Sequence, residues 1–261
     1  MKDLKIRKEL KPGLNRLVTT EFNYLRFSIL RLQPGESFGE GLADWECGLT
    51  LLSGQVEAEV EGKTLGTMGP RRNVFEDLPW GLYVPGRQRY RLQAVAAAEL
   101  ALAYAPWQKQ EAPALIRPAD LAVHQRGQPG YQREVRDILV GQAAADSILL
   151  GETVNRPGEW SSYPPHKHDT AIPGVETRLE EIYFYKTHPA QGFGFQRIYT
   201  GDRSLDVVYT VENNDLALLP RGYHPVAAAP GYAVYYLWAL AGEERRMTTH
   251  NDPEHEWVLS R

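Results

Sequence analysis

The chain has 261 residues, of which 43% are hydrophobic and 24% charged, and a formal net charge of −4. Such a composition belongs to a folded globular protein with room for one large domain or two of about 100–150 residues, and it excludes whole-chain disorder. Acidic and basic residues are interspersed with no long basic run, so the footprint of a nucleic-acid or anionic-membrane binder is missing.

In chain order, the first ten residues are charged and lack the apolar segment of a signal peptide. Cys47 is the sole cysteine, so no internal disulfide can form, as befits a reducing compartment. The apolar run at 94–105 is broken by Glu99 and is too short to span a bilayer. A cytoplasmic protein without membrane or nucleic-acid partners is the expectation. Pro34-Gly35, Ser53-Gly54, Glu61-Gly62, Pro85-Gly86, Pro157-Gly158, Gly201-Asp202 and Pro230-Gly231 punctuate short apolar or alternating runs. Runs at 25–32, 51–60, 182–185, 205–211 and 233–240 read as strands between those turns. The segment 132–139 fits a short helix or a strand. Strands at this even spacing predict an all-β sandwich or jelly roll.

The two halves share an order of features. Leu32-Gln-Pro-Gly-Glu36, a strand ending at Ser53-Gly54, and the turn at Pro85-Gly86 have counterparts in the second half. These are Asn155-Arg-Pro-Gly-Glu159, the strand at 182–185, and the turn Pro220-Arg-Gly222. A repeat at this separation predicts two copies of one β unit. A Gln-, Pro- and Ala-rich stretch between Pro106 and Tyr131 serves as linker, giving domains at 1–115 and 131–261.

Five of the seven histidines fall between 166 and 250. His166 and His168 are two apart, so on a strand both face one side while Lys167 faces the other. Glu180 and Glu181 follow at a strand start, and only one of two adjacent residues can face inward. His224 comes after the Pro220 turn. Two imidazoles from one strand, a carboxylate from the next and a later imidazole leave vacant positions on one divalent cation, as a catalytic metal requires. If Glu181 is the inward acid, Tyr183 and Tyr185 share its face. His124, His188, His250 and His255 lie in polar or loop contexts and are expected at the surface.

The stretch Gly158-Glu-Trp-Ser-Ser-Tyr-Pro-Pro-His-Lys-His-Asp169 resembles the 5-deoxy-glucuronate isomerases of bacterial inositol catabolism. So do Glu180-Glu-Ile-Tyr-Phe-Tyr185, Gln191-Gly-Phe-Gly-Phe-Gln-Arg197, Pro220-Arg-Gly-Tyr-His-Pro-Val226 and Ala229-Pro-Gly-Tyr-Ala-Val-Tyr-Tyr-Leu-Trp238. The resemblance covers 158–238, while the first half matches in layout only. It extends to the related pectin-pathway uronate ketol-isomerases. It implies a bicupin, two tandem jelly-roll β-barrels, with a metal set of His166, His168, Glu181 and His224. Glu181 is chosen over Glu180 on that family pattern. The insert at 170–179 between the His pair and the acids departs from the pectin-pathway pattern. The first half lacks a His-x-His, and Trp45-Glu46-Cys47 stands where Glu181 would fall, so its barrel is expected to carry no metal.

The implied activity is an aldose–ketose isomerisation of a small sugar acid, with one divalent ion, zinc or manganese, as the only cofactor. The ion would act as a Lewis acid on the carbonyl while a nearby group moves a proton. Tyr183 is the candidate for proton handling, and the base stays open. Arg197, then Arg178 and Arg133, are candidates to hold the substrate carboxylate by a two-pronged contact. Gln196 and Arg197 are adjacent, so one alone faces inward. A homo-oligomer is expected for this family. Isomerisation of another uronate and a metal-dependent cupin dioxygenase are the alternatives, separable by substrate and by oxygen consumption. A sugar-sensing regulator would need a DNA-binding helical segment, which the sequence does not show.

Overall fold

The computed structural model describes residues 3–109, 111–141 and 145–260. Among these, the chain is strands and loops with two short 3-10 turns, Pro118–Asp120 and Glu256–Ser260. The all-β expectation therefore holds, and 132–139 resolves as the strand Arg133–Leu139. No helix of the described chain is long and apolar enough to cross a membrane.

The chain divides into two compact units. One comprises Glu9–Ala122 and Arg136–Gly151; the other comprises Met1–Lys8, Val123–Val135 and Glu152–Arg261. A single cut at a linker does not describe this division, because two segments are exchanged. Lys5–Ile6 pairs antiparallel with Leu216–Leu219, and Arg7 binds Asp215 through Nε at 2.7 Å and Nη2 at 2.6 Å. The N–H groups of Asp146, Ser147 and Ile148 all donate to the buried carboxylate of Glu46. These are pairings between residues a hundred or more positions apart, which local composition does not encode. The stretch read as a linker also carries strands, Ala114–Ile116 and Ala122–Arg126.

In the first of these units, Trp45–Val60 and Arg89–Pro106 pair antiparallel over nearly their whole length. Their side chains alternate: Tyr90, Leu92 and Ala94 go inward while Arg89, Arg91 and Gln93 are exposed. Leu49, Leu51, Val56, Leu82, Leu100 and Leu102 pack the interior with no solvent exposure. Each such side chain contributes about 2 kcal/mol of burial free energy. Cys47 lies in the same core, and burial pushes its thiol pKa up.

In the other unit, Leu179–His188 lies between Leu216–Leu219 and Ala233–Gly242, antiparallel to both. A second sheet runs in the order Trp160–Ser161, Val226–Ala228, Phe193–Tyr199, Asp206–Glu212. His166–Lys167 pairs with His250–Asn251 as a separate two-stranded ladder. Tyr183, Tyr185 and Tyr236 are each 3% exposed or less, so the interior of this unit is unusually rich in hydroxyls. Buried hydroxyls need partners, and those partners define the site.

Candidate metal centre

Alternation along Leu179–His188 turns Glu181, Tyr183 and Tyr185 inward and leaves Glu180 half exposed. Glu181 then meets two imidazoles. Its Oε2 lies 2.9 Å from His168 Nε2 and 3.3 Å from His224 Nε2. One ligand atom from each of these three buried residues falls within 4.8 Å of the others. His166 stands beside this group, with its ring centroid 4.9 Å from that of His224 and 6.5 Å from that of His168.

The far side of each ring fixes its chemistry. His168 Nδ1 is 3.1 Å from the Leu179 carbonyl, and His224 Nδ1 is 2.9 Å from the Gly222 carbonyl. A carbonyl only accepts, so each Nδ1 carries a proton and each Nε2 faces Glu181. Beside a carboxylate, such an Nε2 needs either a proton of its own or a cation in the proton's place. His224 Nε2 is in addition buried with no hydrogen-bond partner. Orphaned nitrogen of this kind in an interior is costly. Two imidazoles, a carboxylate and a third imidazole alongside are the donor set of a borderline divalent ion, with backbone carbonyls orienting the rings. The residues fit such an ion.

Without an ion, a proton on His168 takes the cation's place beside Glu181. Burial opposes ionisation of Glu181, yet the charge and hydrogen bond of His168, with His224, hold its carboxyl at about 2. Burial works against the His168 imidazolium, but Glu181 raises its pKa overall. Burial, then the charges of His224 and His168, push His166 well below the usual imidazole range, so it stays neutral. Burial, reinforced by the charge of Glu181, drives the Tyr183 phenol well up, so it is a donor and not an anion.

Tyr183 belongs to a hydroxyl cluster. Its OH is 2.9 Å from Ser162 Oγ, and its ring stacks on Tyr236 at 4.3 Å with a 28° interplanar angle. Tyr236 donates to Ser161 Oγ at 2.9 Å. Tyr185 donates to Gln196 Oε1, and Gln196 Nε2 donates to the His224 carbonyl at 2.8 Å. Gln196 therefore ties Tyr185 to the backbone of His224. Sequence reasoning did not single out Tyr236, Ser161 or Ser162. The Tyr235-Tyr236 pair was the available signal, but both are buried, and the cross-strand register Tyr185↔Tyr236 decides which of the two meets the tyrosine cluster.

Arg197 is a correction. Of the adjacent pair it is Gln196 that turns inward. Arg197 points the other way and binds Asp206 through Nε at 2.9 Å and Nη2 at 2.8 Å, with its guanidinium over the Tyr199 ring. Asp206 on the neighbouring strand supplies its counter-ion, and the fork is turned to that strand, away from Gln196 and the inner tyrosines. Arg178 is exposed and is likewise not at the site. Lys167 turns away from the imidazoles, as expected from its parity. Its Nζ is 2.7 Å from Asp169 Oδ1 and 2.8 Å from Glu176 Oε2, which folds the 170–179 insert back on itself.

Asp169 also accepts the Gly222 N–H at 2.7 Å, so it braces the turn that carries His224. Burial opposes its ionisation, but the hydrogen bonds from Lys167 and Gly222 hold it at about 2. Gly222 has φ +89°, and a Cβ there would sit 2.5 Å from the Tyr199 carbonyl oxygen, so only glycine makes this turn. His188 is exposed, as expected. A second acid–imidazole group, Asp252, Glu254 and His255, is already held by protein partners. Asp252 accepts the Tyr199 OH at 2.6 Å, and Glu254 pairs with Arg203.

The KduI/IolB family model matches residues 15–258. The chain belongs to the KduI/IolB family. A member from Halalkalibacterium halodurans named 5-deoxy-glucuronate isomerase is 42% identical over 260 residues, covering 97% of this chain and 96% of that protein. The crystal structure of an IolB-like protein from Salmonella typhimurium superposes with a TM-score of 0.95 at 34% identity, covering 98% of this chain and 99% of that one. Beyond the KduI/IolB family, an oxalate decarboxylase of Lactobacillus farciminis superposes with a TM-score of 0.72 at 10% identity, covering 100% of this chain and 91% of that one. That distant likeness speaks to fold alone. The fold is the bicupin, two tandem jelly-roll β-barrels.

Proposed function

We propose that this chain is a metal-dependent aldose–ketose isomerase that converts 5-deoxy-glucuronate to 5-dehydro-2-deoxy-gluconate, using His166, His168, Glu181 and His224 as ligands of one divalent ion. The family and the name of its 42% identical relative support the substrate. The observation that carries the reading is the buried, unpartnered Nε2 of His224 facing Glu181 and His168. Zinc and manganese both suit neutral imidazoles with a carboxylate.

The reaction moves a proton from C2 to C1 and a hydroxyl proton from O2 to O1, with no net redox change. When bound, the ion supplies Lewis-acid stabilisation of the charge that develops on the two oxygens. The protein holds the donors in place: Leu179 and Gly222 carbonyls orient the two rings, and Gln196 fixes the His224 backbone. Tyr183 stays protonated and donates toward the developing oxyanion, positioned by Ser162 and the Tyr236 ring. The other barrel takes no metal in this reading, because its buried Glu46 is already engaged by the Tyr83 hydroxyl and three backbone N–H groups.

Metal analysis and an isomerase assay on 5-deoxy-glucuronate, for the wild type and His168→Ala, test this. The expected result is a metal-loaded active wild type and a folded variant without metal or activity. Full activity after complete metal removal refutes it.

A further inference from the structure

We infer that Arg133 is the residue that grips the carboxylate of the sugar-acid substrate. This rests on the isomerase reading and adds to it the group that distinguishes an acid from a neutral sugar.

Arg133 opens the strand Arg133–Leu139. Its guanidinium has five N–H donors and is always charged. Only Nη1 is engaged, with the carbonyls of Tyr131 at 3.3 Å and Tyr163 at 3.2 Å. Nε and Nη2 have no partner among the described residues, and no carboxylate pairs with the side chain. Other arginines of the chain differ. Arg7, Arg31, Arg72, Arg87, Arg197 and Arg203 each have an acid within 3.2 Å. The buried Arg71 spends Nε, Nη1 and Nη2 on backbone carbonyls. Arg133 is thus a half-buried cation without an anion, and burial pulls its pKa down. Leaving such a charge unpaired is expensive, and an incoming carboxylate removes that cost with two parallel hydrogen bonds.

Its position suits that task. Tyr163, which it contacts, follows directly on Ser162, whose Oγ touches the hydroxyls of both Tyr183 and Tyr236. Arg133 is thus tied to the backbone one residue from the serine that braces Tyr183 and Tyr236. The loop before it is shaped to let the side chain lie close. Gly127 has φ +85°, and a Cβ there would sit 2.2 Å from the Tyr131 carbonyl oxygen and 2.9 Å from Arg133 Nη1. One end of an aldehyde acid would lie at the imidazole–carboxylate group and its other end at this fork.

The test is steady-state kinetics on 5-deoxy-glucuronate and on its neutral analogue with the carboxylate replaced by a primary alcohol. Wild type, Arg133→Met and Arg133→Lys are compared, with metal content and thermal melting measured on each. The expected wild type prefers the acid by about 100-fold in kcat/KM. Arg133→Met loses about 100-fold on the acid, mainly through KM, changes little on the neutral analogue, and retains its metal. Arg133→Lys restores part of the preference, since it keeps the charge without the fork. Either variant, metal-loaded and still preferring the acid as wild type does, overturns the inference. Equal losses on both compounds also overturn it, because they mark a purely structural role. A wild type inert toward both compounds overturns the isomerase reading itself, and the anchor with it.

Discussion

Stripping the metal should lower the melting temperature of the unit that carries His168, Glu181 and His224 by about 10 °C. Two lines of reasoning give that scale. Without a cation, His224 Nε2 is a buried nitrogen with no partner, and such an atom costs about 1–3 kcal/mol. A ligand present at about 100 times its Kd stabilises the state that binds it by about 2.7 kcal/mol. For a domain of this size, 1 kcal/mol moves the midpoint by about 4 °C. Differential scanning calorimetry of chelated and reloaded protein reads the shift directly. His168→Ala provides the internal control, because removing one donor from a group of atoms within 4.8 Å should abolish the response to added metal. Identical melting with and without metal would refute the reasoning. So would a full shift retained by His168→Ala, since the ion would then bind elsewhere.

Three further outcomes are expected. Tyr183→Phe should lower kcat by about 100-fold with metal content unchanged, the cost of losing one donor to a developing oxyanion; an unaltered kcat would remove the phenol from the chemistry. Gly222→Ala should lower metal affinity at least about tenfold in a chelator competition, because a Cβ 2.5 Å from the Tyr199 carbonyl forces the turn that aims His224 to shift. Glu46→Gln should cost about 2 kcal/mol in urea unfolding while leaving metal content intact. The amide introduces N–H groups where the Tyr83 hydroxyl and three backbone N–H groups need an acceptor.

The chain order of residues determined much of the site by itself. A period of two along Leu179–His188 commits Glu181, Tyr183 and Tyr185 to one face as soon as one of them is inside. The same parity sends Lys167 away from His166 and His168, where it meets Asp169 and Glu176. Turn glycines and prolines bounded most of the strands, though Ser53-Gly54, read as a strand end, lies inside Trp45–Val60, and the family motifs at 158–238 carried the fold. What the tertiary structure decided are the matters that depend on how one strand registers against another. Arg197 against Gln196 was a choice between two faces, and the strand carrying Asp206 settled it by offering Arg197 a counter-ion outside. Tyr236 joined the tyrosine cluster through its register with Tyr185, and Arg133 lies against a glycine-shaped loop that no periodicity describes. The exchange of residues 1–8 and 136–151 between the units rests on the strand at Lys5–Ile6 and on the carboxylate of Glu46. Parity is local and written in sequence, whereas register and counter-ions come from partners far along the chain, and only the folded chain brings those together.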